Sequence, residues 1–400
     1  MRLLTTILCV AIVAPAARAE DWPNYRGPHH DGVSREIGWT THWPADGPPV
    51  LWKANVGIGF SSFAVGGGRV YTAGSAESAS TIYCFDADSG RIVWKHSYAS
   101  DLGDHDFEGG TTSTPTLDGD RLYFIGRAGD LFCFDAASGQ VIWQENIHAE
   151  TKIRVPDWGY GGSPLVMGDL LVLNIGQAGV AVNKSTGKIV WKSASEDCGY
   201  STPVPMSAHG KSLVMLTNKH AFLAVDVQTG KEVWKIRWAT QYGANAADPI
   251  VDGDRVLISS GYGKGAALLQ SADGEPMTIW RSKALRVHLN PAVRQGEFVY
   301  GLDGDYTEGV SLKCIEFATG KEKWSADCGP GSLIIADGKL IVLNEKGQLS
   351  IAPAAPDGFK VIAHAQVLSG KCWTSPVLSG GRIFCRNAQG DMVCLDVRGK

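Results

Sequence analysis

The chain has 400 residues, is 20% charged and carries a formal net charge of −4. That mildly acidic balance argues against a partner held through a basic surface, which removes nucleic acid as a ligand class. Its 49 glycines and 13 tryptophans suit short strands joined by tight turns better than a helical core.

Residues 1–19 read as a cleavable signal peptide. Arg2 gives a positive start, Leu3–Val13 is apolar, and Ala17-Arg18-Ala19 has the small-x-small cleavage pattern. The apolar run is too short to span a membrane, and Cys9 lies inside it with no lipobox-like setting, so neither a span nor a lipid anchor is expected. The mature chain should begin near Glu20 and be periplasmic or secreted. Residues 20–48, with Trp22, Trp39 and Trp43, form an extended segment expected to wrap the outside of the domain. Its His29-His30-Asp31 reads as a solvated turn in preference to a metal site.

From residue 49 onward one pattern recurs: a tight turn leading into a strand that ends in Trp. Copies are DADSGRIVW (Asp86–Trp94), DAASGQVIW (Asp135–Trp143), NKSTGKIVW (Asn183–Trp191), DVQTGKEVW (Asp226–Trp234) and EFATGKEKW (Glu316–Trp324), with looser copies at Trp280 and near Val361. A period of roughly 40–50 residues with four strands per repeat predicts propeller blades. Blade 2 predicts strands at Ser113–Leu117 (A), Arg121–Ile125 (B), Leu131–Asp135 (C) and Gln140–Trp143 (D), with Asp118-Gly119-Asp120 as the A–B hairpin. Blades begin near Ser61, Ser113, Ser163, Ser201, Asp248, Asn290, Ser332 and Ser375. The last lacks an outer strand, and Val50–Lys53 is a D strand with no A, B or C before it. The expected fold is therefore all-β: an eight-bladed propeller of four-stranded antiparallel blades over residues 49–400, its ring closed by residues 49–57, which leaves no open sheet edge.

Cys84, Cys133, Cys314 and Cys394 share one repeat position that Ala181 and Ala224 fill in other blades, so they read as small buried strand residues. Cys385 also reads as a strand residue. Cys198, Cys328 and Cys372 precede blades. They stand as three free thiols, or else Cys328 and Cys372 pair in an oxidising compartment.

In this strand order the A–B and C–D turns share one face and are stereotyped. The D–A and B–C loops share the other and hold the irregular residues, which is where a rigid scaffold carries binding groups. Candidates for a ligand site at that channel mouth are Glu108, Trp158, Tyr242, Asn245, Asp248, Tyr262, Lys264, His288, Asn290, Trp373 and Arg386, together with Tyr160 and Tyr200. Asp248 and Asn290 stand where other blades open with Ser or Thr. Lys264 and Trp373 supply a cation and a flat ring suited to an anionic aromatic or sugar-like ligand. Asp104-His105-Asp106-Phe107-Glu108 is the densest acid–imidazole cluster and reads as a solvated acidic loop. No Gly-x-Ser-x-Gly, His-Glu-x-x-His, P-loop or Cys-x-x-Cys-His motif occurs.

The Asp/Asn-x-x-Thr/Ser-Gly-Lys-x-x-Trp repeat resembles the tryptophan-docking motif of the pyrroloquinoline-quinone (PQQ) repeat superfamily, from Pro48 to the end. That superfamily includes quinoprotein alcohol dehydrogenases and the outer-membrane barrel-assembly factor B. The segments WPNYRGPHHDGVS, GDLFCFDAASG, DWGYGGSPL, NAADPIV, SSGYGKG and GKCWTSPV are most similar to exported planctomycete-type PQQ-like propellers. The resemblance implies that Trp52, Trp94, Trp143, Trp191, Trp234, Trp280 and Trp324 pack between blades. The quinoproteins hold PQQ between a Trp ring and a disulfide of adjacent cysteines, beside calcium and an Asp base; here no two cysteines are adjacent. No cofactor is expected. The reading is a non-catalytic, monomeric envelope scaffold that binds a protein or a small ligand on the loop face. A PQQ-dependent dehydrogenase and a purely structural envelope component are the alternatives.

Overall fold

The structure, a computed structural model, describes residues 19–305 and 309–399. The expected signal peptide lies outside the described residues except for Ala19. Eight sheets are present, seven of four strands and one of five, and within each blade the strands are antiparallel. Blade 2 has its strands at Thr116–Asp118, Arg121–Ile125, Asp130–Asp135 and Val141–Asn146. Gly119 takes the positive φ of 60° that its hairpin requires. The four-residue B strand segment Leu122–Ile125 is fully buried because neighbouring blades cover both faces of the sheet.

Ring closure follows the sequence reading. Val50–Asn55 pairs antiparallel with Asp391–Asp396, placing Trp52 opposite Cys394. The first and last parts of the chain thus share one blade and remove the last free edge.

A repeated row explains both the tryptophans and the cysteines. Tyr71, Cys84 and Trp94 lie side by side across strands B, C and D of blade 1. Tyr123, Cys133 and Trp143 do so in blade 2, and Tyr300, Cys314 and Trp324 in blade 6. In each row the Tyr and Trp rings lean over the small central residue until their centroids are 6.0–6.1 Å apart. A larger side chain on strand C would separate them, which is why these rows carry Cys; blade 5, with Leu257 in place of the Tyr, accommodates Leu268 opposite Trp280. The thiols are buried, and burial pushes Cys84 up to about 12 and Cys133 and Cys314 to about 11. Among the described residues every cysteine is free, Cys328 and Cys372 included.

Each outer-strand Trp also reaches into the next blade. The indole Nε1–H of Trp52, Trp94, Trp143, Trp191, Trp280 and Trp324 donates at 2.9–3.0 Å to a carbonyl on the following blade's C–D turn. Trp234 donates to the Ser271 hydroxyl instead. The turn glycine lies under the incoming ring: a Cβ on Gly139 would sit 2.4 Å from Trp94, at a φ of +74°. Only glycine meets both demands.

Blade 7 carries no such Trp, and the N-terminal segment attends to its junction with blade 8. Thr40 N–H donates to Val397 O, the carbonyl equivalent to those above, and buried Trp39 bridges to Arg398. Gly47 packs against Ala365 of blade 7's outer strand.

The expectation that residues 20–48 wrap the outside is corrected for residues 20–36, while residues 39–47 do lie at the outer edge of blades 7 and 8. The A strands of adjacent blades contact one another, so they line the central channel. The segment runs along them. Trp22 pairs with Val65 of blade 1, Pro23 O accepts from Leu117 N–H of blade 2, and Val33–Ser34 pairs parallel with Ile335–Ala336 of blade 7. Arg26 donates to Ala292 O beside blade 6, and Glu36, buried, accepts from the amides of Gly380 and Gly381 in blade 8. Trp22 is 2% exposed. An aromatic segment of this kind gains more by filling an apolar channel than by lying on a wet surface, and it plugs the turn-side half of the ring.

Candidate functional site

Above the plug the channel widens into a cavity of about 350 Å³ on the D–A and B–C loop face. Its base is Tyr25, at the tip of the N-terminal segment. Its walls come from the residues that open the A strands: Thr112, Ser163, Thr202, Asp248, Asn290 and Ser375. Aromatic rings form the upper part: Phe60, Phe107, Trp158, Tyr200, Tyr262 and Trp373. The arrangement is a cup with a polar base and an aromatic mouth.

A chain of hydrogen bonds holds the base in shape. Ser62 N–H donates to Thr114 Oγ1 (3.0 Å), Thr114 N–H to Ser163 Oγ (2.9 Å), Ser163 N–H to Thr202 Oγ1 (3.0 Å) and Thr202 N–H to Asp248 Oδ1 (2.8 Å). Blade by blade, each strand start reads the next. On the far side Asn290 donates to Gly331 O and Trp373 O, Ser332 to Thr374 O, and Thr374 to Phe60 O. This explains the Ser/Thr habit at the blade starts, and why Asp248 and Asn290 depart from it: they flank the junction of blades 5 and 6, which none of these bonds crosses.

Asp248 is 6% exposed. It accepts the Thr202 amide, and among the described residues no donor meets its second oxygen. Burial pushes its carboxyl up to about 7, against the opposing pull of Arg26 beneath the base and of the Thr202 hydrogen bond. Burial also drives Tyr25 well above the ordinary tyrosine range, with the Asp248 charge adding to the shift.

The mouth is a linked aromatic surface. Trp373 stacks on Phe60 with centroids 5.6 Å apart, its indole N–H held by Glu345 Oε1 at 2.8 Å, and Phe107 packs on the same Phe60. Trp158 lies 5.4 Å from Tyr200 and donates to Asp106 Oδ2 at 3.3 Å. Tyr262 sits edge-on to His288 at 4.7 Å, with its hydroxyl 2.9 Å from His288 Nε2. Burial lowers the His288 pKa, with Asp305 opposing; the imidazole is neutral near pH 7.

Of the residues singled out from sequence, Trp158, Tyr200, Asp248, Tyr262, His288, Asn290 and Trp373 line the cup. Tyr242, exposed, packs on Tyr262 at the rim, and Glu108 pairs with Lys371 at 2.7 Å beside the mouth. Four others are elsewhere. Asn245, fully buried, donates to Asn218 O and Trp238 O as an interblade tie. Tyr160 is core and bonds to Ile153 O and Arg154 O. Lys264 lies over the Trp238 ring at 5.1 Å, not on the cup. Arg386 is wholly buried and donates to Ala73 O (2.7 Å), Ser61 O (3.0 Å) and Gly57 O (3.1 Å), stapling blade 8 to blade 1; burial lowers its pKa to about 9.

Sequence reasoning missed Tyr25, Phe60 and Phe107. The one signal for Tyr25 was compositional, a segment with too many aromatics to lie exposed. The acidic loop is partly a wall: Asp106 and Phe107 face the cup, while His105 Nε2 lies 2.8 Å from Asp157 O. Among the described residues no three His, Cys, Asp or Glu side chains are placed to hold a metal ion, His29-His30-Asp31 included. His30 is held down at about 4 by burial and then Arg26.

No curated protein sequence matches the chain. Solved structures share the fold at low identity. BamB from Moraxella catarrhalis is 16% identical, with a TM-score of 0.65, covering 87% of this chain and 99% of its own. Quinohemoprotein alcohol dehydrogenase from Comamonas testosteroni is 15% identical, with a TM-score of 0.70 and coverage of 97% and 82%. A europium-containing methanol dehydrogenase is 12% identical, with a TM-score of 0.71 and coverage of 92% and 89%. No helix among the described residues is long and apolar enough to cross a membrane. Residues 78–325, more than half of the chain, match the family model described as outer membrane protein assembly factor BamB, and on that match the chain belongs to this family of PQQ-like propellers.

Proposed function

We propose that this is an exported, non-catalytic binding propeller of the cell envelope, taking a small ligand in the loop-face cup. The observation that carries the reading is the cup itself: a preformed cavity of about 350 Å³ with an aromatic mouth and one deeply buried carboxylate. Concave, largely apolar sites with few fixed polar groups are the usual form of a small-molecule site. The family description supports an envelope role, and the loop rim around the cup is the surface on which a protein partner would meet a bound ligand.

The quinoprotein alternative is weighed on the donors present. PQQ is a flat tricarboxylate and requires cationic partners. No lysine or arginine lines this cup, its acids are Asp106 and Asp248, and no vicinal cysteine pair exists to face a ring. The residues do not fit the group, so no chemistry is derived through it.

A fragment screen followed by intrinsic tryptophan fluorescence tests the reading. Trp158→Ala and Trp373→Ala should remove the binding of any hit while Trp94→Ala, far from the cup, retains it. Hits whose binding survives both cup substitutions would place the ligand elsewhere and sink the proposal.

A further inference from the structure

The cup's charge composition narrows its ligand further, on the assumption that the cup is a ligand site at all. Its lining includes two carboxylates and seven aromatic rings besides His288, and no lysine or arginine. Aromatic faces carry partial negative charge, so rings and acids favour the same sign of guest. Among the described residues no Lys or Arg pairs directly with the cup's acids. Arg26 lies under the base, donates through Nη2 to Asp31 O and Ala292 O, and pulls on Asp248 only through space. Lys371, bound to Glu108, covers the Trp373 ring at 4.3 Å and shows on this molecule what that ring attracts.

The base adds a specific demand. Asp248 is 6% exposed, receives one hydrogen bond from the protein and turns onto the cup, where its ionised form is costly unless a guest brings a counter-charge. Its neighbours do not supply one at bonding distance. Tyr25 stays neutral and His288 is neutral near pH 7. A neutral sugar would satisfy lone pairs and leave the carboxyl free to stay protonated, with no proton release on binding. A bare metal ion would find too few oxygens. A compact ammonium meets both the carboxylate and the rings.

We infer that the cup binds a small organic cation, with its ammonium or quaternary ammonium head against Asp248 among the ring faces of Tyr25, Tyr200 and Tyr262. The cation pairs with the ionised form of Asp248, so its binding at neutral pH displaces a proton and strengthens as pH rises from 6 to 8.

The test is calorimetric titration of the full mature chain with choline, its uncharged tert-butyl isostere, glucose and benzoate, in buffers of differing ionisation heat. Choline should bind about tenfold or more tighter than the isostere, the discrimination expected of a desolvated cation–π and ion-pair site. It should also release protons near pH 7. Asp248→Asn, which keeps an acceptor for the Thr202 amide, should lose that discrimination and the proton release while melting as a folded protein. Equal binding of choline and its isostere, tighter binding of glucose or benzoate, or an unaffected Asp248→Asn overturns the cation inference and leaves the cup as a site for another ligand. Absence of any binding across the panel overturns the inference as well, and the fragment screen then decides the cup separately.

Discussion

The two faces of the ring are built on opposite logics. At the turn end each blade repeats its neighbour: Trp94 of blade 1 hydrogen-bonds Ala136 O, and Trp191 of blade 3 hydrogen-bonds Val227 O at the same 2.9 Å. That end is also filled by the N-terminal segment. At the loop end Ser163, Thr202 and Ser375 keep the repeat, and the cup's other groups break it. Asp248 replaces a hydroxyl, Trp373 and Trp158 project from loops of unequal length, and space is left open. Buried area is maximised at one end, and the other retains a cavity and a half-satisfied carboxylate. The regular interblade ties and the open cavity lie on opposite faces of the ring.

Four experiments would sharpen or break that contrast. The largest effect should come from a chain lacking residues 20–57, which removes the plug and blade 8's outer strand together. It should expose a sheet edge and run as aggregate in size-exclusion chromatography; a monomer of unchanged melting temperature would contradict the closure. Next, Trp94→Ala should cost about 3–5 kcal/mol in denaturant unfolding, as expected for deleting a buried aromatic, yet leave cup binding intact. A shift confined to binding would reverse the assignment of the two ends.

The third concerns pH. The Asp248 carboxyl is raised in the folded state from 3.8 to about 7. Its contribution is fully present below pH 3.8, where both states are protonated, and is lost as pH rises through 7, because the folded protein must then hold the costly anion. Asp248→Asn should therefore melt like the parent near pH 4 and be more stable above pH 7, by roughly 4 kcal/mol at most. Thermal melts at both pH values check the sign; a variant less stable at high pH would mean that the carboxylate is structural. The smallest effect is expected from Lys264→Ala, which gives up one partly exposed cation–π contact worth about 0.5–1 kcal/mol and should not alter binding in the cup.

The fold was legible because every blade states it again. Turn glycines and the strand-end Trp are demands of one interblade contact and the small strand-C residue a demand of the ring row within a blade, so repetition averaged out the imperfect copies at Trp280 and Val361. The unpaired Val50–Lys53 strand was legible for the same reason, as a repeat fragment without its partners. The cup was only half legible. Asp248 and Asn290 showed themselves as departures from the Ser/Thr at blade starts. Lys264, Asn245 and Arg386 misled because polarity near a loop says nothing about which way a side chain turns: one lies on an indole, and two are consumed by backbone carbonyls. Tyr25 was invisible because its position depends on a segment with no repeat to align it, and the path of that segment is fixed by contacts to five different blades.

That path has a consequence for how the protein is made. Glu20 O accepts from the Ser379 hydroxyl and Glu36 from the amide of Gly381, across 359 and 345 residues of chain. Contacts of such separation form late, since nearly the whole chain must be in place before they reward the closure of so large a loop. The floor of the cup therefore waits on contacts between segments 345 residues or more apart. A truncated or half-assembled ring has walls but no floor. A cup with its floor in place is thus a sign that blade 8 has met the N-terminal segment.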